Sequence, residues 1–381
     1  MANESPIHRG LSGVVVDTTA ISNVVPETNS LTYRGYAVQE LAASCTFEEV
    51  AYLIWYGELP DAENLDKFRA TQGVRREVTR STISIIDRLP VTCHPMDVLR
   101  TAVSCLGAED SHEEDGSVLS NQDKAESLFA KLPTIVAHDY RRRRGLDRIG
   151  PDPSLGFAEN FFYMCFGEIP AQEIVDCFEI SMILYAEHSF NASTFAARVV
   201  VSTRSDMYSA VTAAVGALKG PLHGGANEAV MRMMLEIDDP AQAAAWLRDE
   251  LAAKRKVMGF GHRVYRNADS RVPTMKTAFL RMVELTGGQK WAQMYHSLEQ
   301  AMLDEKGIWP NLDFPAGPAY YLMGFDIPMF TPFFVMSRIT GWTAHAMEQQ
   351  AANALIRPLS AYAGVGQRKV DRAPIRDVSA Q

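Results

Sequence analysis

Helical periodicity recurs along almost the whole chain, and this pattern limits the fold more than any other feature of the sequence. Residues 46–49 form a capping box, in which the Thr46 hydroxyl accepts a hydrogen bond from an amide three residues on. Phe47, Val50 and Ile54 then fall on one apolar stripe, as the buried face of a helix requires. The prediction is a largely helical protein.

A capping residue followed by proline marks two further helix starts. Asp239-Pro240 predicts a helix over 241–251, and Thr331-Pro332 predicts another over 333–350. Strand signals are few: Gly13–Asp17 and Ser30–Tyr33 predict a small N-terminal β-hairpin. The predicted fold class is therefore all-α with one small hairpin.

Charge and cysteine content limit the partners and the compartment. The formal net charge of −9 disfavours non-specific binding to nucleic acid, although it leaves room for a local cationic pocket. The five cysteines are odd in number and lack paired metal-ligand spacing, which favours a reducing compartment over a disulfide framework. No signal peptide or membrane span is recognisable, so we expect a cytoplasmic protein with no membrane or nucleic-acid partner.

Two breaks in the helical pattern suggest two domains in the 381 residues. Helix cannot easily continue through 220–225 or through 306–310, where glycine and proline cluster. We therefore expect a large domain made of 1–222 and 323–381 and a smaller inserted domain of 223–322. Clefts between domains are preferred ligand sites.

Asp313 and His223 are candidates for proton chemistry at carbon. Asp313 lies among apolar residues between two prolines, and a desolvated carboxylate is a stronger base. His223 lies in a glycine-rich turn that leads into a helix, where the positive end of the dipole favours neutral imidazole. The simpler interpretations, a turn or cap aspartate and a structural histidine, stay open at this point.

Basic residues cluster around a third histidine. His262 follows a Gly-Phe-Gly segment and precedes Arg263, Arg266 and Arg271, which is typical of an anion-binding loop or of a solvated basic loop. Arg338 lies in an apolar segment, either on a polar face or buried against an anion. The remaining histidines are assigned to structural or solvent positions: His8, His94, His112, His138, His296 and His345.

Taken together, these motifs resemble those of the citrate synthase family over about residues 9–362. The strings around His223, His262 and Asp313 match in order and spacing, and 186–194, 312–315 and 319–324 are most similar to the bacterial branch that makes 2-methylcitrate. The resemblance implies a citrate synthase-like fold and a homodimer. It also implies a large domain with the dimerisation and oxaloacetate sites and a small domain with the acyl-CoA site.

The resemblance further implies a role for each candidate residue. Asp313 is then the base, His223 stabilises the enol or enolate, and His262 polarises the oxaloacetate ketone. The oxaloacetate-binding residues are then His188, Arg271, Arg338 and, from the partner subunit, Arg357. The coenzyme A contacts are then Lys256, Val257, Met258, Gly259, Phe260, Arg266 and Arg9. The implied substrates are propionyl-CoA, oxaloacetate and water, with acyl-CoA as co-substrate and with no metal or tightly bound cofactor.

Three alternative functions stay open at this point. Citrate synthase activity on acetyl-CoA, or dual specificity, is the nearest, because a pocket discriminates one methylene by only about 1–3 kcal/mol. A metal hydrolase could use His188, His223, His262 and Asp313 as ligands, although none of these forms a close metal-binding pair. A helical interaction scaffold leaves the loops that combine glycine, histidine and arginine unexplained.

Overall fold

The computed structural model describes residues 7–25, 27–262, 264–265 and 268–370, and most of them are helical. The first eight helices are α1 (Val38–Ser44), α2 (Phe47–Tyr56), α3 (Ala62–Arg75), α4 (Arg80–Arg88), α5 (Pro95–Glu109), α6 (Val118–Arg143), α7 (Phe157–Phe166) and α8 (Gln172–Tyr185). The next eight are α9 (Ala192–Ser202), α10 (Met207–Leu218), α11 (Ala226–Ile237), α12 (Ala243–Ala252), α13 (Val272–Thr286), α14 (Gln289–Lys306), α15 (Asp313–Leu322) and α16 (Phe330–Ala351). Three short 3-10 helices cover Arg9–Leu11, Pro240–Gln242 and Ile327–Met329.

A small antiparallel sheet precedes the α-helices. Its strands β1 (Ser22–Val25), β2 (Ser30–Tyr33) and β3 (Tyr36–Ala37) pair in that order. The prediction of a strand at Ser30–Tyr33 is confirmed, whereas the predicted strand at Gly13–Asp17 is wrong. Its valines are exposed, and β-branched residues favour a strand only where a pleated face can pack, as Leu31 and Tyr33 do here.

The chain divides into two compact units. One is Thr19–Leu355, which contains the sheet and all the α-helices of the described residues. The other is formed by the two ends of the chain, of which 7–18 and 356–370 are described. Arg9 and Arg357 belong to this second unit, and both side chains are exposed in it. The domain boundaries predicted at 222/223 and 322/323 stay a prediction.

Helix starts follow the capping signals in one case and depart from them in another. The predicted capping box at Thr46 opens α2, with the Thr46 side chain and Glu49 both bonded to backbone amides. The start predicted at Thr331 is wrong, because α16 already begins at Phe330 and the Thr331 hydroxyl donates to Glu228 instead.

None of the helices in the described part of the chain is long and apolar enough to cross a membrane.

Helix α16 runs through the core and carries polar residues into it. It is buried along most of its 22 residues, where rings such as Phe325 and Phe333 pack with centroids 4.6 Å apart. Arg338 and His345 lie on this helix and are 1% and 0% exposed. A buried charge is costly unless it is paired, so the partners of these two side chains define polar centres inside the protein.

Candidate active site

The C-terminal end of α8 orients two buried arginines. The last carbonyls of a helix lack intrahelical partners and carry the negative end of its dipole, so they attract cations. Arg338 Nε donates to the Tyr185 carbonyl at 2.6 Å, and Arg271 Nη1 donates to the Leu184 carbonyl at 3.4 Å. The backbone of α8 thus brings two guanidinium groups to one place.

Asp269 holds Arg271 in position. Its carboxylate accepts from Arg271 Nε at 2.9 Å and from Nη2 at 2.7 Å, a bidentate geometry that fits the planar guanidinium. Burial disfavours the charged form of Arg271, but Asp269 holds the pKa of Arg271 above its ordinary value. Asp269 also accepts from the amide of Leu312 at 3.2 Å, which ties this cation to the residue before Asp313.

Asp313 is the first residue of α15, and its carboxylate is close enough to Arg271 and Arg338 for their charges to lower its pKa. Oδ1 accepts a hydrogen bond of 2.7 Å from the Tyr185 hydroxyl. Burial raises the pKa of Asp313 to about 6, against the lowering influence of Tyr185, Arg271 and Arg338. Asp313 is therefore ionised at neutral pH, yet it is a stronger base than an exposed aspartate.

His223 lies in the turn before α11 and is held by Ser193 at the start of α9. Nε2 is 2.8 Å from the Ser193 hydroxyl oxygen and accepts from the Ser193 amide at 3.3 Å. Because a backbone amide only donates, the proton of the neutral ring lies on Nδ1. Burial, followed by the charge of Arg338, lowers the pKa of His223 to about 3, so the ring is neutral at physiological pH.

His188 and His262 lie side by side against Tyr265. The two imidazole centroids are 4.9 Å apart, and the His262 ring is 4.7 Å from that of Tyr265. His262 Nδ1 accepts from the amides of Val264 at 3.0 Å and Tyr265 at 3.1 Å, which places the proton of the neutral ring on Nε2. Burial lowers the pKa of His262 to about 4 and that of His188 well below its ordinary value.

Phe334 joins the parts of the site. Its ring lies 4.3 Å from that of Tyr185 and 6.0 Å from that of His223, and the Arg338 guanidinium carbon is 4.7 Å from its centroid. His188 is also close enough to both arginines for their charges to lower its pKa, after burial. Six of the predicted residues therefore converge in one region: His188, His223, His262, Arg271, Asp313 and Arg338.

Two polar atoms in this region have no hydrogen-bond partner among the residues that the structure describes. They are Nε2 of His188 and Nη1 of Arg338, both buried. A buried donor or acceptor without a partner costs about 1–3 kcal/mol, and such groups cluster where a ligand completes the hydrogen bonding. With Arg271, these atoms form a cationic and polar surface that fits a small carboxylate-bearing molecule.

The predicted coenzyme loop, Lys256–Phe260, is hydrogen-bonded to the segment before Asp313. Gly259 has φ +87°, and a Cβ on it would meet Val230 and Phe314, so this close approach requires glycine. The Gly259 carbonyl accepts from the Asn311 amide at 2.9 Å. Within the loop, Lys256 is exposed, whereas Val257 is buried. The predicted contact Arg266 lies outside the described residues.

The sequence analysis missed four residues that support the site: Tyr185, Ser193, Asp269 and Phe334. Only Asp269 carried a local signal, since an aspartate two positions before an arginine is a candidate ion-pair partner. The other three make their contacts to Asp313 or His223 across long stretches of sequence, and Tyr185 and Asp313 are separated by 128 positions. Helical periodicity indicates which residues are buried but not which of them meet.

The arrangement can remove a proton from carbon and stabilise the charge that develops. The carboxylate of Asp313 lies in the same region as the neutral imidazoles of His223 and His262, each with an assigned donor nitrogen. The guanidinium groups of Arg271 and Arg338 lie there too. Preorganised donors of this kind stabilise a developing oxyanion more than its neutral precursor. Within the described ranges, no three His, Cys, Asp or Glu side chains are grouped so that they could hold a metal ion.

Comparison with known proteins agrees with this chemistry. The chain is 65% identical over 362 residues to the 2-methylcitrate synthase of Mycobacterium tuberculosis, covering 95% of this chain and 92% of that one. It is 62% identical over 369 residues to the citrate synthase of Mycolicibacterium smegmatis, covering 97% and 98%. Among solved structures, Thermoplasma acidophilum citrate synthase with carboxymethyl coenzyme A and oxaloacetate superposes with a TM-score of 0.92 at 34% identity, covering 97% and 99%.

These comparisons confirm the all-α, citrate synthase-like fold and the resemblance drawn from the motifs. The family model described as "Citrate synthase, C-terminal domain" matches residues 10–359, which is most of the chain. The chain belongs to the citrate synthase family.

Proposed function

We propose that this enzyme condenses propionyl-CoA with oxaloacetate and water to give 2-methylcitrate and free coenzyme A. The observation that carries the proposal is the convergence of Asp313, a carboxylate with a pKa of about 6, with neutral imidazoles and two buried guanidinium groups. The name of the Mycobacterium tuberculosis relative supports propionyl-CoA as the acyl donor.

In the first step, Asp313 removes a proton from the propionyl carbon next to the thioester carbonyl. The electron pair of the broken C–H bond moves toward the carbonyl oxygen, which receives a hydrogen bond from Nδ1–H of His223. A neutral imidazole suits this step, because its N–H donates a hydrogen bond to the developing enolate oxygen. Tyr185 holds the Asp313 carboxylate through the 2.7 Å hydrogen bond while the proton transfers.

In the second step, the nucleophilic carbon attacks the ketone of oxaloacetate. Nε2–H of His262 polarises the ketone oxygen, and Arg271, Arg338 and His188 bind the two carboxylates. Each charge-assisted hydrogen bond contributes roughly 1.5–3 kcal/mol net. Arg357 of the partner subunit completes the carboxylate contacts in the proposed homodimer. Water then hydrolyses the thioester and releases coenzyme A.

We also propose two domains and a set of coenzyme A contacts. The large domain, 1–222 and 323–381, carries the dimerisation and oxaloacetate sites, and the small domain, 223–322, carries the acyl-CoA site. Lys256–Phe260, Arg266 and Arg9 contact coenzyme A, and closure of the two domains excludes water from the enolate. We propose no metal or tightly bound cofactor. The five free cysteines support a cytoplasmic location.

The rate is expected to depend on the ionisation of Asp313. As the pH falls below about 6, the carboxyl gains a proton and can no longer act as a base, so kcat/KM for propionyl-CoA should fall about tenfold per pH unit. His223 and His262, with pKa values of about 3 and 4, stay neutral across most of this range. A pH–rate profile measures this acid-side fall of kcat/KM. A profile that stays flat to about pH 4.5 contradicts the assignment of Asp313 as the base.

The acyl donor is tested by kcat/KM for propionyl-CoA and acetyl-CoA, measured as oxaloacetate-dependent release of coenzyme A. One methylene is worth about 1–3 kcal/mol, so we expect propionyl-CoA to be preferred on the order of tenfold. A preference for acetyl-CoA supports the second candidate, citrate synthase, which the 62% identical relative favours. If neither thioester releases coenzyme A with oxaloacetate, condensation is rejected.

A further inference from the structure

The orientation of His188 depends on the turn that carries it. The Nε2 atom of His188 is buried and has no hydrogen-bond partner among the described residues. Its ring packs 4.9 Å from that of His262 and 5.6 Å from that of Tyr265. The turn, residues 186–191, joins the end of α8 to Asn191, the residue that caps α9. Because no hydrogen bond within the described residues fixes Nε2, the backbone of this turn determines where the imidazole points.

The residue directly after His188 has a left-handed backbone. Ser189 has φ +51°, a conformation that residues other than glycine rarely adopt. Its amide donates to the hydroxyl oxygen of Ser22 at 3.0 Å and to Oε1 of Glu187. The Ser22 hydroxyl in turn donates to the same Glu187 oxygen at 2.9 Å. These hydrogen bonds hold an unfavourable backbone conformation in place beside the histidine.

The carboxylate of Glu187 is itself held by α16. The Nδ1 atom of His345 lies 3.2 Å from Nη1 of Arg198, which can only donate, so Nδ1 accepts and Nε2 carries a proton. Nε2 therefore donates to Oε1 of Glu187, 2.8 Å away. The other oxygen, Oε2, packs against Gly341 so closely that a Cβ there would overlap it. The acceptor that Ser22 and Ser189 share is thus fixed from the core side.

Tyr33 holds the backbone on the other side of His188. Its hydroxyl oxygen lies 3.1 Å from the carbonyl oxygen of Ile183 and 3.0 Å from that of Glu187. It also accepts from the Glu187 amide at 3.3 Å. Ile183 is in the last turn of α8, where carbonyls are short of intrahelical donors. One phenol hydroxyl thus ties the end of α8 to the residue that precedes His188.

Ser22 and Tyr33 belong to one face of the small sheet. They are directly opposite each other in the antiparallel pairing of β1 with β2, and opposite residues point to the same face. Both side chains are buried, so both hydroxyls are directed into the protein. The two strands therefore present a pair of hydroxyls to the turn, one for each side of His188.

We propose that Ser22 and Tyr33 are positioning residues for oxaloacetate, because together they hold the turn that aims His188 at the substrate. Both act through the backbone at 183–189 and not on the substrate itself. The proposal rests on the proposed function, since it takes His188 as a contact of oxaloacetate. It also gives the small sheet a part in substrate binding.

The first test measures oxaloacetate binding by isothermal titration calorimetry in Tyr33→Phe and Ser22→Ala. Each substitution removes one hydroxyl and little else, so the turn loses one restraint at a time. The dissociation constant should rise on the order of fivefold in each variant. Turnover at saturating oxaloacetate should change by less than about twofold, because the loss lies in binding.

Tyr208→Phe is the matched control. Tyr208 is also buried, and its hydroxyl donates to Asp110 at 2.8 Å, so the control loses a comparable hydrogen bond. It should bind oxaloacetate like wild type even if its melting temperature falls as far as that of Tyr33→Phe. Wild-type affinity in both Tyr33→Phe and Ser22→Ala, or an equal loss of affinity in Tyr208→Phe, overturns the inference.

The second test changes the backbone preference of Ser189. Ser189→Gly keeps the amide donor and suits a positive φ, so the dissociation constant should stay within about threefold of wild type. Ser189→Val disfavours that conformation and should weaken binding on the order of tenfold. The control is Arg204→Val, at an exposed position with φ +66°, which should reduce stability but leave oxaloacetate affinity unchanged.

The outcomes separate the two levels of the proposal. Binding by Ser189→Val as tight as that by Ser189→Gly overturns the role of the turn. If wild type does not bind oxaloacetate, the proposed function fails and the inference fails with it. If wild type binds and the Ser22 and Tyr33 variants bind equally well, only the inference fails.

Discussion

Replacing Asp313 by asparagine is expected to lower kcat on the order of 10³-fold, because the substitution removes the only proton acceptor proposed for the first step. The amide matches the carboxylate in size, and its oxygen can still accept from the Tyr185 hydroxyl, which preserves the local packing. Oxaloacetate binding should be largely retained, since Asp313 is not among its proposed contacts. Coenzyme A release and calorimetric binding measure the two effects separately.

Asp326→Asn is the matched control for this substitution. Asp326 is an exposed aspartate whose ion pair with Arg144 is 2.7 Å long, and losing such a surface pair has little effect on stability or turnover. The control should turn over like wild type. Near-normal turnover by Asp313→Asn would refute the base assignment, and a parallel loss of oxaloacetate binding would indicate a damaged site instead.

The second large effect is expected for His223→Ala, which should lower kcat by about 10²–10³-fold, the cost of removing one preorganised oxyanion donor. The loss should appear in kcat and not in the dissociation constant of oxaloacetate, because His223 is proposed to face the thioester. His223→Asn should retain part of the rate, since its amide can still donate a hydrogen bond. Steady-state kinetics with saturating oxaloacetate measures both variants.

Exposed His112 offers a control for loss of an imidazole elsewhere, since His112→Ala should leave kcat unchanged. If His223→Ala turned over near the wild-type rate, another donor would have to stabilise the enolate. If it failed only through weaker oxaloacetate binding, the roles of His223 and His262 would have to be exchanged.

Local signals predicted the elements whose stability is local. The capping box at Thr46 and the strand at Ser30–Tyr33 were both predicted from a few adjacent residues, and both are present. The predictions at Gly13–Asp17 and Thr331 are wrong because each element depends on contacts beyond its local sequence. A valine run forms a strand only beside a partner strand, and a threonine caps a helix only if its hydroxyl is not bonded elsewhere, as that of Thr331 is to Glu228.

The sequence by itself determined the helical class, the family and the chemical identity of the site, because these depend on residue types and on spacings of a few positions. The tertiary structure decided which side chains meet, as between Arg338 and Tyr185, 153 positions apart. It also decided the ionisation of Asp313 and the pairing of His345 with Glu187. Burial and neighbouring charge control pKa values, and both arise only when distant segments pack together.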